Sequence, residues 1–325
     1  MKVRLLNAAL ISALTIITTT APAAEAQHVE NIKFGDFSNW VTRHIKESGV
    51  IGGNQKTIYE IGPNATINGA SAYTPTGGSP WATSNVYAKV MGITKTSNAV
   101  FPDTREGGNR CAKLTTLMEH CKAIGIINID VVVAGTIFLG RMFEPIKSTS
   151  NPMSKMEMGV PFTKRPKALR FDYKLTIPNT NQRTYSSGLS KQKTLQGHDN
   201  AEIFLLLQRR WEDEKGNLHA KRVGTARQLY SKSTNGWVNK HEMTISYGDI
   251  TGQPWYKKYM GLIAKDKSYY ARNSKGKLVP VIEEGWDDAN ATPTHMLMMF
   301  SAGSGEPYVG TLGLTLWVDN VALVY

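Results

Sequence analysis

The stretch Leu169-Arg170-Phe171-Asp172-Tyr173-Lys174-Leu175-Thr176-Ile177 decides the fold. Every second residue is apolar, and charged or polar residues fill the gaps. A period of two is that of a β-strand with one face in a core and one in water. Downstream, Ala201, Ile203, Leu205 and Leu207 alternate with Glu202, Phe204, Leu206 and Gln208. Trp237, Asn239, His241, Met243, Ile245 and Tyr247 share one parity of a third strand. Two more strands fill His295 to Tyr325. Upstream, the run from Ile124 to Phe138 is apolar on both faces and reads as one or two central strands. Helical spacing is scarce: only Arg110 to Cys121 tempts a helical reading, and it is short. Turn chemistry separates the strands, as at Gly77-Gly78 and Glu214–Asn217, while Asn179–Asp199 and Gly248–Val279 are unusually long inserts. Many short strands with little helix predict an all-β jelly-roll-type sandwich of two antiparallel sheets. No repeat or composition break divides the chain, so one domain is expected over 27–325.

With 41% apolar and 20% charged residues, the chain has enough apolar material for a packed core, which argues against disorder. Lys2 and Arg4 precede an apolar run and then Ala24-Glu25-Ala26, the pattern of a signal peptide over 1–26. No later run is long and apolar enough to span a bilayer. The mature chain is therefore expected outside the cytoplasm: in the periplasm, on the cell surface or in the medium. The net charge of +12 suits solubility or an anionic polymer. Its cations are scattered, and with export this argues against nucleic acid as a partner. Cys111 and Cys121 lie ten positions apart. In an oxidising compartment they could close a disulfide across a hairpin; two buried free thiols are the alternative.

Three segments carry a family resemblance. Pro161-Phe162-Thr163-Lys164-Arg165-Pro166-Lys167-Ala168-Leu169-Arg170-Phe171-Asp172-Tyr173-Lys174 is the most specific. Thr315-Leu316-Trp317-Val318-Asp319-Asn320-Val321-Ala322-Leu323-Val324-Tyr325 and Gly135-Thr136-Ile137-Phe138-Leu139-Gly140 follow. Taken in chain order they resemble the putative carbohydrate metabolism domain (PCMD) of secreted Bacteroidetes proteins, over about residues 80–325. The resemblance implies a β-jelly roll and a role in glycan use, and brings no catalytic residues with it. Leu314 stands where the family tends to have Ser, and Asn320 where a second Asp is common. Physically these motifs read as structural. The opposite parities of Leu316/Val318 and Val321/Leu323 mark a β-bulge at Asp319-Asn320.

Sugars are bound by flat aromatic faces flanked by polar groups. Trp81, Trp211, Trp255, Tyr256 and Trp286 sit beside loops and polar neighbours and are the candidates, whereas Trp40, Trp237 and Trp317 are read as core by parity. Glycoside cleavage needs two carboxyls. Asp172, Glu202 and Glu242 are the catalytic candidates, on the wet faces of three strands that would have to be neighbours. Glu212, Asp213, Asp287 and Asp288 are further acids near loops. Asp319 at the bulge is a candidate Ca²⁺ ligand, far short of the six to eight oxygens the ion takes. His198-Asp199 reads as a turn and strand start. No other cofactor is indicated: the seven His residues have no metal-ligand spacing, and there is neither a nucleophile elbow nor a phosphate loop. The sequence thus points to a secreted glycan-binding module for a polysaccharide or oligosaccharide. The alternatives are a xylanase-like glycoside hydrolase on the same fold and an envelope structural or adhesion module.

Overall fold

A computed structural model describes residues 27–325 apart from 49–53, 91, 124–126, 149, 189–190 and 305–306. The expected signal peptide lies outside the described residues. Nearly all regular structure is strand. Among the described residues the helical elements are three single 3-10 turns, Pro152–Lys155, Lys258–Met260 and Lys265–Lys267. No helix there is long and apolar enough to cross a membrane.

Two large sheets form a β-sandwich. The first runs in the order Ile127–Ala134, Arg110–Ala123, Thr315–Val324, Ala168–Thr176, Val238–Thr244. Val29–Asn31 adds to one end of the Thr315–Val324 strand, and Val100–Thr104 to the start of Arg110–Ala123. Arg110–Cys121 is therefore strand, not helix. Its residues pair on both sides with neighbouring strands, so tertiary pairing overrides the weak helical spacing.

The second sheet has Ala201–Glu212 at its centre, between His295–Ser301 and Leu218–Tyr230. It continues through Leu278–Trp286, Tyr270–Arg272 and Met156–Met158 to Thr136–Met142. Thr136–Phe138 then pairs with Met299–Ser301, so the strands close into a ring. Two of the pairings, Leu218–Arg222 with Val281–Trp286 and Glu157 with Tyr270, are parallel. The sheet is thus mixed, where an antiparallel one is expected from sequence. The connection from Leu218–Tyr230 to Leu278–Trp286 is a long insert, and length is what a parallel crossover needs.

The shared core is built from the apolar parities. Leu169, Phe171 and Leu175 of the first sheet face Ile203, Leu205, Leu207 and Phe300 of the second. Phe171 and Phe300 meet edge to face at 5.2 Å, a favoured aromatic geometry. Phe37, Trp40 and Ile61 from the N-terminal segment join the same core.

The opposite face of the second sheet is also buried. Phe138, Met158, Phe204, Leu206, Leu297 and Met299 form a second cluster, with Ile263 and Tyr269 of the long insert packed against it. Beside it the Arg222 guanidinium meets Glu283 through Nε at 2.7 Å and Nη2 at 2.6 Å, and Glu283 also accepts from Gln208 and the Ile263 N–H. The Asn179–Asp199 insert is a hairpin in part, Gln182–Tyr185 against Lys193–Gln196.

Candidate functional site

The first sheet keeps its outer face open, and strand register arranges that face in rows. Phe101 lies opposite Lys113, Lys113 opposite Trp317, and Trp317 opposite Lys174. Val238 pairs with Tyr173, which sets Trp237 beside Lys174. The result is a row in which rings and ammonium groups alternate. The Lys174 Nζ lies 4.2 Å from the centre of the Trp317 ring and 5.8 Å from that of Trp237, and the Lys113 Nζ lies 5.8 Å from Trp317. On one flank runs a row of Thr115, Thr315 and Thr176. On the other runs a row of acids, with Asp103 opposite Cys111 and Asp172 opposite Asp319.

Both Trp237 and Trp317 are half-buried here, which corrects their assignment to the core. For Trp317 the alternation itself explains the outcome: Leu316 and Val318 take the core, so the residue between them faces out. For Trp237 a bulge intervenes. Lys240 has φ 53° and breaks the alternation. Met243 and Ile245 stay in the core, while Asn239 and Trp237, before the break, turn outward.

Two such left-handed residues flank Asp172, since Asn320 has φ 51°. Register shifts occur on both sides of the strand at this point. These kinks aim groups at the Asp172 carboxylate, which accepts from the Lys240 N–H at 2.6 Å and the Asn320 Nδ2 at 2.8 Å. Non-glycine residues in this region cost roughly 1–3 kcal/mol each and concentrate at functional sites.

Arg105 bridges the acids. Its Nη1 lies 2.8 Å from Asp172 Oδ2 and 2.7 Å from Asp319 Oδ2, and its Nη2 donates to Asn239 Oδ1 at 2.7 Å. Its guanidinium stacks on Trp237 at 4.0 Å. The residue sits at the start of a tight turn whose Gly107 and Gly108 have φ 94° and 91°, a conformation that glycine adopts without strain. Burial pushes both acids up, with opposite results. For Asp172, bonds from the Lys240 N–H, Arg105 and Asn320 outweigh burial and leave the carboxyl below its ordinary value. For Asp319 burial wins over the bonds from Arg105 and the Asn320 N–H, and the carboxyl lies above its ordinary value. Asp103 accepts from the Trp317 indole at 2.8 Å.

The remaining sequence candidates do not gather here. Trp81 is fully buried, its indole donating to the Lys33 carbonyl, so it belongs to the core and offers no face to a ligand. Trp211, 39% exposed, stacks on His219 at the far end of a hairpin. Trp286 is the last residue of the Leu278–Trp286 strand, with the Arg222 guanidinium 5.7 Å from its ring centre. Trp255, 44% exposed, walls a separate groove of about 320 Å³ between the sheets with Thr225, Gln228, Glu242 and Met260. Tyr256 is half-buried beside it in sequence.

The three catalytic candidates are not brought together: Glu242 borders the groove between the sheets, and Asp172 borders a separate cleft of about 240 Å³ with Arg170 and Lys240. Asp172 is beneath Arg105. Glu242 pairs with Arg170 on the edge strand of the same sheet. Glu202 is on the second sheet, buried against Arg227 at 2.6 Å; burial raises its pKa above the ordinary range, with Asp199 adding and Arg227 opposing. Glu212 accepts from Ser274, Asp213 holds its own turn, Asp287 pairs with Arg209, and Asp288 caps the Asn290 N–H.

Asp319 does not suit Ca²⁺, because Arg105 and the Asn320 N–H already hold its two oxygens. Among the described residues no three His, Cys, Asp or Glu side chains gather as metal ligands.

The expected disulfide is also corrected. Cys111 is a buried free thiol. It shares the continuous strand Arg110–Ala123 with Cys121. Ten residues of strand span about 33 Å, far beyond the roughly 4.4–6.8 Å between the Cα atoms of a disulfide. Burial, then the charges of Asp103 and Asp319, push its thiol up to about 12, so it stays protonated and unreactive.

The sequence reading missed Arg105, Lys113, Trp237 and Trp317. Lys174 and Trp317 were legible as a cross-strand pair only once the register was known.

No curated protein matches the chain. Among solved structures, it is similar to one titled as a putative glycoside hydrolase from Bacteroides thetaiotaomicron, with 17% identity over 83% of this chain and 75% of that one and a TM-score of 0.43. Residues 58–324 match the family described as "Putative carbohydrate metabolism domain". The match begins upstream of the expected position near residue 80 and takes in most of the Gln55–Ile61 strand. With most of its length matched, and with the motif strands Ala168–Thr176 and Thr315–Val324 paired at the centre of the open sheet, the chain belongs to the PCMD family.

Proposed function

We propose that the outer face of the first sheet binds a glycan, with Trp237 and Trp317 as the stacking rings. The observation that carries this reading is the row itself: two indoles on one open face, held in register, with hydroxyl and carboxylate rows alongside. Alternate strands are about 9.6 Å apart, so rings set two strands apart suit an extended oligosaccharide rather than one sugar. The hydrogen-bonding groups for sugar hydroxyls are at hand in Thr115, Thr176 and Asn239. A jelly-roll sandwich and export through residues 1–26 belong to the same proposal, and would place the protein where polysaccharides are met.

Binding is favoured over cleavage by the state of the acids. Asp172 and Asp319 meet on one guanidinium nitrogen, at 2.8 and 2.7 Å, and a carboxyl pair is what cleavage would need. Yet Asp319 is 2% exposed and Asp172 6%, both beneath Arg105. Arg105 holds an oxygen of each, and Asp172, which borders the cleft of about 240 Å³ with Arg170 and Lys240, also accepts from the Lys240 N–H and Asn320, so either acid would have to give up these bonds to act on a glycosidic bond. The pair therefore serves to fix Arg105 and, through it, the plane of Trp237.

The test is affinity electrophoresis of the purified protein in gels containing a panel of plant and host polysaccharides, with released reducing ends scored in parallel. Retardation in at least one gel with no reducing ends is the expected result, and Trp237→Ala with Trp317→Ala should abolish the retardation. Retardation unaffected by that pair but lost in Trp255→Ala would move the site to the groove between the sheets. Reducing ends released by the native protein but not by Asp172→Asn would overturn binding in favour of cleavage.

A further inference from the structure

We infer that the glycan taken by this face is anionic, with carboxylate or sulfate groups on its sugars; the inference rests on the glycan-binding reading above and names its ligand class. The observation is what already covers the rings. The Lys174 ammonium lies 4.2 Å from the Trp317 centroid, and Lys113 approaches the same ring at 5.8 Å. A sugar stacking on Trp317 must displace these ammonium groups. Each cation–π contact is worth about 0.5–1 kcal/mol at an exposed site. A neutral sugar removes those contacts and gives the ammonium groups no charge in return. An anionic sugar draws the same ammonium groups off the ring face and into charge-assisted hydrogen bonds beside it, which more than offsets the loss.

The neighbouring charges leave these two lysines without an ion pair, although Asp103 attracts both. Arg105 is committed to Asp172 and Asp319, and Arg170 to Glu242. Among the described residues no carboxylate forms an ion pair with Lys113 or Lys174. Asp103 is the acid nearest in the rows, and one of its oxygens is taken by the Trp317 indole. The Thr115–Thr315–Thr176 row on the other side carries no charge. Lys113 and Lys174 sit on either side of one strand, about 9.6 Å apart at the backbone. Two ammonium groups at that separation can contact charges on successive sugars of one chain.

The test uses matched polymers that differ only in charge: polygalacturonate against its methyl ester, and dextran sulfate against dextran. Affinity electrophoresis and titration calorimetry are run with the purified full chain at low and raised salt. The charged member of at least one pair should bind about tenfold or more tighter than its neutral twin, the scale of one charge-assisted hydrogen bond, and which pair responds names the anion. Lys113→Gln with Lys174→Gln should erase the preference, and Trp317→Ala should lose binding to both twins. Equal binding of the twins, or a preference that survives the lysine double variant, overturns the anionic inference and leaves the glycan-binding reading standing. Binding of the charged polymers that is undiminished in Trp237→Ala/Trp317→Ala also overturns it, because the attraction is then diffuse and does not use this row. No binding to any of the four polymers, or to the wider panel, overturns the glycan-binding reading itself.

Discussion

The two sheets present opposite treatments of an outer face. On the second sheet the long insert lays Ile263 and Tyr269 over Phe204 and Leu206, and the polar groups beneath are locked to one another, Arg222 to Glu283 and Glu202 to Arg227. On the first sheet no insert among the described residues lies over Trp237, Trp317, Lys113 and Lys174, and the rings are covered only by the side chains of Arg105 and the two lysines. Both faces hold aromatic rings and ion pairs, so composition does not separate them. Coverage does: the sealed face contributes stability, and the open face is free to be judged by what it binds.

If that division is right, substitutions on the two faces should differ in kind. The largest effect belongs to the sealed face. Glu283→Ala leaves the Arg222 guanidinium buried without its partner and should cost roughly 3–5 kcal/mol, read as a shift of the urea midpoint. Phe204→Ala, a fully buried ring, should cost about the same, roughly 3–5 kcal/mol. A loss below about 1 kcal/mol in both would mean that the insert does not seal the sheet.

Acid and base should probe one carboxyl on each face, although the sign belongs to the group and not to the face, since Asp319 on the open side is raised as Glu202 is. Glu202, on the sealed side, has its pKa raised above the ordinary 4.5. The folded state therefore keeps that proton longer than the unfolded state, and stability falls as pH rises from 4.5 through the folded value. Asp172, on the open side, has its pKa lowered below the ordinary 3.8. Its contribution is present above that pH and is lost as pH falls through the folded value. Each slope is at most about 1.4 kcal/mol per pH unit. Glu202→Gln should flatten the first decline and Asp172→Asn the second, in urea midpoints measured across pH.

The smallest stability effects should come from the row. Trp317→Ala should cost about 1 kcal/mol and Lys174→Gln within about 0.5 kcal/mol, although both are expected to alter ligand retention. A Trp317→Ala loss as large as that of Phe204→Ala would show that the open face holds the fold together and would remove the distinction.

The sequence revealed the parts of this design that depend on period two. The strands at Leu169–Ile177 and Ala201–Gln208 were readable because alternation is local. The bulge at Asp319-Asn320 was readable because the parity changes sides there. Hidden were the features set by pairing between distant segments. Lys240 breaks its strand as Asn320 does, but lysine gives no hint of a left-handed backbone, so Trp237 read as core. Glu202 and Asp172 have the same local pattern yet sit in different sheets. Arg105 follows a short strand in a glycine turn, and only the fold shows that it reaches acids from strands far along the chain. Trp81 beside a Gly-Pro loop looked exposed, and packing of the N-terminal segment buries it.

One pairing bears on when the molecule can fold. Val29–Asn31, the first described strand, forms its ladder with Ala322–Val324, and the ring closes through Thr136–Phe138 against Met299–Ser301. Contacts between such distant positions make folding slow, since the chain must pay loop-closure entropy before they reward it. In an emerging polypeptide Trp40–Lys46 can pair at once with Gln55–Ile61, whereas Val29–Asn31 must wait for Ala322–Val324 to be made.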